Sequence, residues 1–290
     1  MPEAVIKLEN VSYSYPRAKN WALKKIDLEI AEGELVAVMG ENGAGNSTLC
    51  KLFNGIIPHS QGGRLLGTVK VDGVITGNSS VPELARKVGM ALDDPETQLF
   101  TASVRHEIAF GPENLLLPPE EIQERVKRAL DITGLAGYEE RAPATLSGGE
   151  KQRLAIAAAL ALAEKILVMD EPVCRLDPSG AMEIFSVIRD IRKERRLTVI
   201  MATHNSENAA EFADRICVLK NGAVAAFDTP RRIFSDSALL RDNGIRAPDV
   251  CALAGFLAAN GQELPVFPVL PDEAARALCE WYGNYQRKKN

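Results

Sequence analysis

The chain has 290 residues, 46% of them apolar, which suits one large domain with an appendage or two domains, and its formal charge of −5 gives no global basic field for nucleic acid. The longest uninterrupted apolar run, Leu154 to Ala163, falls short of the roughly 20 residues that cross a bilayer. The opening MPEAVIKLEN puts charges where a signal peptide needs an apolar core, and Cys50, Cys174, Cys217, Cys251 and Cys279 form no C-x-x-C pair, so reduced cytosolic thiols are expected rather than zinc or disulfides.

Ala4 to Ser14 alternates apolar and polar residues and predicts an edge strand; Leu23 to Ile30 repeats the pattern. Between them Tyr15-Pro16-Arg17 is a turn. Tyr15 suits either stacking on a purine or packing on the sheet, and spacing alone favours packing. The apolar run Leu35 to Met39 predicts a buried strand, and an apolar-spaced helix follows through Leu49, Leu52 and Phe53. Joining them is GENGAGNST, Gly40 to Thr48. Strand, Gly-rich turn and helix form the context of a phosphate-binding P-loop. Its glycines let successive N–H groups point inward, and the helix N-terminus adds the positive end of its dipole. Ser47 supplies a hydroxyl suited to Mg²⁺ and Thr48 a further phosphate contact. Asn46 stands where the pattern G-x-x-x-x-G-K-[ST] expects lysine. In isolation such a broken motif is equally a plain strand-to-helix turn.

Gly67 to Thr76 predicts a strand, Pro82 to Lys87 a short helix and Val88 to Leu92 a strand running into Asp93-Asp94-Pro95-Glu96-Thr97-Gln98. Three acids in this turn are either a solvated loop or a contact for metal or a basic partner. Pro119 to Gly134 reads as an amphipathic helix with acids in its first turn. Leu146-Ser147-Gly148-Gly149-Glu150 opens an Ala/Leu-rich helix to Ala163, with Ser147 as N-cap. Two glycines in a first turn cost about 1 kcal/mol each, which implies that something approaches the backbone closely there. Ile166 to Met169 is a buried strand ending in Asp170-Glu171-Pro172. Acids at the C-terminal end of a core strand sit where α/β sheets bind ligands, and adjacent side chains face opposite ways, so Asp170 suits a metal and Glu171 an attacking water. An N-cap acid beside a surface acid would look the same. Leu197 to Ala202 delivers Thr203-His204 at its end, and a lone histidine there is more often structural than catalytic. Arg215 to Phe227 predicts a hairpin around Asn221-Gly222. After Pro230 the strand–turn–helix rhythm stops, and helices near Val250 to Ala259 and Glu273 to Tyr285 flank a Pro-rich stretch, with a basic tail expected to fray.

A P-loop, LSGGE, an apolar strand with DEP and a strand with TH, in this order, resemble the ATP-binding subunit of an ABC transporter over about Val5 to Pro230. VSYSYP, DPETQLF and IAFGPENL look like the energy-coupling-factor and cobalt-type importer ATPases. The resemblance implies an α/β P-loop NTPase core with a mostly parallel sheet, an antiparallel β subdomain, a helical subdomain inserted at about 94–163 and a helical extension at 231–290 that holds two ATPase subunits together. It places Tyr15 on adenine, reversing the packing preference. Gly40, Asn42, Gly43, Ala44, Gly45, Asn46, Ser47 and Thr48 then wrap the phosphates of ATP, Ser47 and Asp170 serve Mg²⁺, Glu171 is the general base and His204 senses the γ-phosphate. Ser147, Gly148, Gly149 and Glu150 complete the site of a second ATPase subunit, in a homo- or heterodimer, with Asp177 at the crossing point. The x-P-[DE]-x-Q segment, about Asp93 to Leu99, meets a membrane-embedded subunit, where its acids suit a basic coupling helix, and a separate membrane protein binds the substrate. The subunit is then peripheral, on the cytoplasmic face of the membrane.

Three departures qualify this. Asn46 replaces the lysine, Asp93 replaces a glutamine that reaches metal and attacking water, and Val173-Cys174-Arg175 replaces a Thr-Ser/Ala-Gly segment. Losing two charged hydrogen bonds from the lysine would cost roughly 3–6 kcal/mol, about 10²- to 10⁴-fold if all of it falls on the transition state. Two roles therefore compete: an ATPase driving import of a metal ion (cobalt or nickel) or a vitamin, and a degenerate subunit lending LSGGE to a competent partner. A soluble relative acting on DNA fits poorly, because residues 94–145 leave no room for a long coiled coil between the motif groups.

Overall fold

The computed structural model describes residues 4–162 and 165–289, with side chains through 284. In chain order the elements are β1 (Ala4–Ser14), β2 (Leu23–Ala31), β3 (Leu35–Gly40), α1 (Asn46–Phe53), β4 (Arg64–Val71), β5 (Val74–Ile75), α2 (Val81–Ala85), β6 (Val88–Ala91), α3 (Val104–Asn114), α4 (Pro119–Thr133) and α5 (Gly148–Leu162). There follow β7 (Ile166–Asp170), α6 (Pro178–Arg195), β8 (Thr198–Ala202), α7 (Ser206–Phe212), β9 (Arg215–Lys220), β10 (Ala223–Asp228), α8 (Pro230–Ser235), α9 (Ser237–Asp242), α10 (Asp249–Ala259) and α11 (Pro271–Lys289). They form two sheets. One is antiparallel with order β2-β1-β4-β5; the other has order β10-β9-β3-β8-β7-β6 and is parallel except for β10.

Strands β3, β7 and β8 are buried at every position and apolar but for Thr198 and Asp170, because helices cover one face of the parallel sheet and the antiparallel sheet covers the other. Alternate side chains feed the two layers. Val36 and Val38 join Val168, Ile200, α1 and the antiparallel sheet through Ile6, Leu8 and Tyr13. Leu35, Ala37 and Met39 join Met169 and Met201 against Ile184, Phe185 and Ile188 of α6. A third cluster, built on Val104, Ile108, Val126, Leu130 and Leu154, holds α3, α4 and α5 together as a helical satellite.

Several expectations need correction. β1 is not an edge strand, since it pairs with β2 on one side and β4 on the other. Alternation reports half-burial and is silent about how many neighbours a strand has. The strand expected over Gly67 to Thr76 starts earlier, at Arg64, and folds back at Asp72-Gly73 into β5. Both turn residues have positive φ, +43° and +80°, as a two-residue hairpin turn demands. Gly67 itself answers a close approach: a Cβ there would lie 2.4 Å from the Asn10 carbonyl oxygen. The Asn221-Gly222 hairpin forms as expected between β9 and β10. After Pro230 there are four helices rather than two, and Ile233, Phe234, Leu240, Cys251 and Val269 belong to the same core cluster as α6. The helix expected to stop at Tyr285 runs on to Lys289, through most of the tail expected to fray; Ala163 and Asn290 lie outside the described residues.

Helix α3 went unforeseen, and its packing turns on Gly111. A methyl there would sit 2.6 Å from Leu162 Cγ of α5. Alanine in a helix interior ordinarily gains about 1 kcal/mol over glycine. Here the branch point of Leu162, not a flexible chain end, would have to move, so overpacking is expected to win. Gly111→Ala should lower stability by about 1–3 kcal/mol, read as a lower urea midpoint at unchanged slope; an unchanged or raised midpoint would show that the α3–α5 seam gives way freely.

Candidate functional site

The ends of β3, β7 and β8 lie side by side, with Leu35–Val38 of β3 facing Val199–Ala202 of β8, and Ile166–Asp170 of β7 facing Thr198–Ala202. This register brings Gly40, Asp170, Glu171, Thr203 and His204 to one edge. The turn leaving β3 bends sharply. A Cβ on Gly40 would meet the Leu219 carbonyl oxygen at 2.4 Å, and Gly43 and Gly45 have φ of +82° and +113°. The β9–β10 turn braces it, for Gly222 N–H donates to the Ala44 carbonyl at 2.9 Å.

Of these, Gly43, Gly45, Asp170, Glu171 and His204 line a cleft of about 440 Å³, together with Tyr15, Asn42, Asn46, Ser47, Thr48 and Asp93. The Ser47 hydroxyl lies beside the Asp170 carboxylate, and Asp170 is 1% exposed. Burial raises the Asp170 pKa; Ser47 opposes the rise and the Asp93 charge adds to it. Asp170 Oδ2 is buried with no hydrogen-bond partner. Glu171 leaves the sheet with φ +49° while its N–H donates to the Ala202 carbonyl at 2.9 Å. Its pKa is pushed up to about 7, by burial first and then by the Asp170 and Asp93 charges. His204 Nε2 lies 3.6 Å from Glu171 Oε1, and its imidazole is half exposed.

Tyr15 packs on the sheet, as spacing alone favoured, and also lines the cleft. Its ring packs edge-on against Tyr13, with centroids 5.0 Å apart, and its hydroxyl shares a 2.9 Å hydrogen bond with Thr48 Oγ1 at the cleft wall. Asn46 Nδ2 donates to the Gly40 carbonyl at 3.4 Å, and its Oδ1 is buried without a partner. Glu41 also lines the cleft, a residue that motif reading passed over. Among the described residues the lining thus carries four carboxylates, Glu41, Asp93, Asp170 and Glu171, and no lysine or arginine. Such a wall repels a bare polyphosphate and attracts a cation.

Other predicted site residues lie outside the cleft. Ser147 and Glu150 form a reciprocal capping box: Ser147 N–H donates to Glu150 Oε2 at 2.7 Å, and Glu150 N–H to Ser147 Oγ at 3.3 Å. Gly148 stays exposed at the head of α5. Asp177 caps α6, its Oδ1 accepting from Gly180 N–H at 2.7 Å. In the acidic loop two charges already have partners: Asp94 pairs with Arg175 at 3.1 Å and Glu96 with Lys151 at 2.6 Å. The acids expected to meet a basic coupling helix thus carry exposed ion pairs within the chain. Gln98 pins the loop by accepting from Leu92 N–H at 3.1 Å and donating to the Met90 carbonyl at 3.3 Å. Beyond it Phe100, 67% exposed, makes an edge-on pair with Phe110, which is 43% exposed.

A P-loop turn at the edge of a parallel sheet, with a hydroxyl–carboxylate pair and a Glu–His pair beside it, defines a nucleotide-binding cassette of the P-loop class. Known proteins agree. Residues 23–174 match the ABC transporter family model. The energy-coupling factor transporter ATP-binding protein EcfA1 of Clostridium novyi is 38% identical over 97% of this chain and 99% of its own length, and EcfA of Methanothermobacter thermautotrophicus is 40% identical over 90% and 83%. The structure of cbiO1 from Clostridium perfringens, part of the ABC transporter complex cbiONQ, superposes with a TM-score of 0.71 at 34% identity, covering 87% of this chain and 98% of that one. An ATP-binding cassette solved as a dimer in a post-hydrolysis state, bound to ADP and Pi, gives 0.70 at 28% identity, with coverage of 78% and 99%. The chain belongs to the ABC transporter ATP-binding subunits, in the energy-coupling-factor branch, a family of transport ATPases.

The cation deficit generates a direct test. Asn46→Lys should tighten ATP binding in the presence of Mg²⁺ by about 10- to 100-fold, because one or two charged hydrogen bonds are restored. Asp93→Gln added to it should raise turnover further by removing a carboxylate from the wall. Titration calorimetry on both variants checks this, and an affinity unmoved by Asn46→Lys would show that position 46 does not face the phosphates.

Proposed function

We propose that this chain is the ATP-binding subunit of an energy-coupling-factor-type importer, coupling ATP to uptake of a metal ion such as cobalt or nickel, or of a vitamin. It would sit on the cytoplasmic face of the membrane, paired with a second ATPase subunit and joined to a membrane-embedded subunit and a separate substrate-binding one. No helix among the described residues is long and apolar enough to cross a membrane. The observation that carries the reading is the convergence of the P-loop turn, the Ser47–Asp170 pair and the Glu171–His204 pair on one sheet edge.

Gly40 to Thr48 would enclose the phosphates of ATP, with Tyr15 against the adenine. Among the described residues no group of three or more His, Cys, Asp or Glu is placed to hold a metal unaided. The orphaned Asp170 oxygen beside the Ser47 hydroxyl fits a hard cation that takes its remaining ligands from phosphates and water. When bound, Mg²⁺ would neutralise phosphate charge and fix its geometry. Glu171, with a proton affinity near neutrality, suits removal of a proton from the attacking water. His204, half exposed beside it, suits a hydrogen bond to the terminal phosphate. Ser147 to Glu150 and Asp177 would serve the facing subunit.

The wall of carboxylates without lysine or arginine favours a second reading, in which this chain's own site turns over slowly and its main service is to the partner's. Glu171→Gln separates the two. In the membrane complex, loss of hydrolysis on Glu171→Gln in this chain supports turnover at its own P-loop. Hydrolysis that survives this change and ends when the partner's base is removed supports the degenerate reading.

The membrane contact is expected at the acidic loop, about Asp93 to Leu99, and the exposed aromatic pair that follows it. Phe100→Ser should lower co-purification with the membrane-embedded subunit severalfold, as losing an exposed aromatic anchor does at interfaces. Association at wild-type yield would move the contact elsewhere.

A further inference from the structure

Arg175 has no role in the cleft. It follows β7 in the segment Val173-Cys174-Arg175, where the related motif keeps small residues. The Arg175 side chain is 39% exposed and, among the described residues, pairs with Asp94, which is itself 44% exposed; pairs so open to water are weak and exchange readily. Its stem and backbone lie over the first turn of α5. A Cβ on Gly148 would sit 4.0 Å from Arg175 Cδ, and one on Gly149 would sit 3.4 Å from the Arg175 carbonyl oxygen. Ser147, Gly148 and Arg175 are all exposed there. The nearest acid of that turn, Glu150, bends its carboxylate back onto Ser147 N–H at 2.7 Å. The two working faces of the chain are thus charged in opposite senses. Its own cleft carries four carboxylates and no lysine or arginine among the described residues, whereas the SGGE face carries a planar cation.

The geometry points to Arg175 as a phosphate-contacting side chain that acts on the ATP held by the facing subunit rather than on ATP in its own cleft. This rests on the paired-subunit reading above, which sets SGGE against that nucleotide. A guanidinium beside the glycines meets a triphosphate with paired donors, an interaction stronger than its half-exposed clip to Asp94. If the facing subunit is a second copy of this chain, each Arg175 supplies across the interface the charge that the other's P-loop lacks at Asn46. Asp94 lies in the loop that leads to Phe100, so a shift of that loop would change how firmly Arg175 is held.

The test is steady-state ATP hydrolysis, with Mg²⁺, by the membrane complex containing this chain and its facing ATPase subunit. Arg175→Gln keeps the stem over Gly148 and removes the charge. It should lower kcat by about 10- to 100-fold while KM changes much less, since the lost contact strengthens as phosphate charge develops. Arg175→Gly should show a similar loss and regain turnover when guanidinium ion is added, a rescue that a merely structural arginine would not show. If the glycine variant comes apart on purification, the glutamine variant decides alone. Ser147→Arg, which crowds the signature turn, checks the pairing itself. Wild-type kcat in Arg175→Gln alongside an inactive Ser147→Arg overturns the role of Arg175 and leaves the paired site standing. Turnover unchanged by Ser147→Arg removes the paired site and this inference with it.

Discussion

In-register parallel pairing of β3, β8 and β7 is the constraint on which the cleft depends. Val38 is level with Ala202, and Ala202 with Asp170, so β7 and β8 leave the sheet at the same height and β3, ending at Gly40, two residues beyond it. Each strand is apolar on both faces, and a slip by one residue would transfer its whole side-chain set to the opposite layer. Burial on two sides thus fixes the register, and the register fixes the distance between the P-loop turn and the carboxylates. The Glu171 backbone, held at positive φ with its N–H on the Ala202 carbonyl, belongs to the same constraint.

That arrangement packs acids tightly, and their mutual repulsion is part of the chemistry. Asp170 and Glu171 are adjacent, buried to different extents, and both lifted above ordinary carboxylate pKa values. Asp93 adds to each effect from the opposite wall. No lysine or arginine lines the cleft among the described residues, so on the proposed reading a bound cation would offset this cluster, and nucleotide and cation binding would be more strongly interdependent than in a site with a fixed positive charge on its wall.

The parts legible from sequence were those where one residue type has a single job. Continuous apolar runs identified the strands of the parallel sheet, and glycine spacing identified the phosphate turn, because both reflect local rules. What sequence reading missed was relational. Nothing in the alternation of β1 says that two strands flank it. Nothing in the spacing of Asp94 and Glu96 reveals that Arg175 and Lys151, distant in sequence, neutralise them. Helix α3 was hidden by its own composition, with Gly111 and Pro112 inside it and a polar capping serine at Ser103. The Asp72-Gly73 turn, by contrast, was a readable hairpin signal that went unused. Arg175 registered only as an irregularity, since its meaning depends on which surface it overlies.

The helices after Pro230 share the core of α6 and touch the phosphate turn directly, for a Cβ on Gly244 would collide with the Glu41 side chain at 2.3 Å. This has a bearing on how the chain can be divided. An excised fragment ending at Pro230 would carry a raw apolar scar where Leu240, Cys251 and Val269 had been, next to the element that has to keep its shape for phosphates. The C-terminal stretch therefore packs as an internal splint of the same body that holds the nucleotide edge.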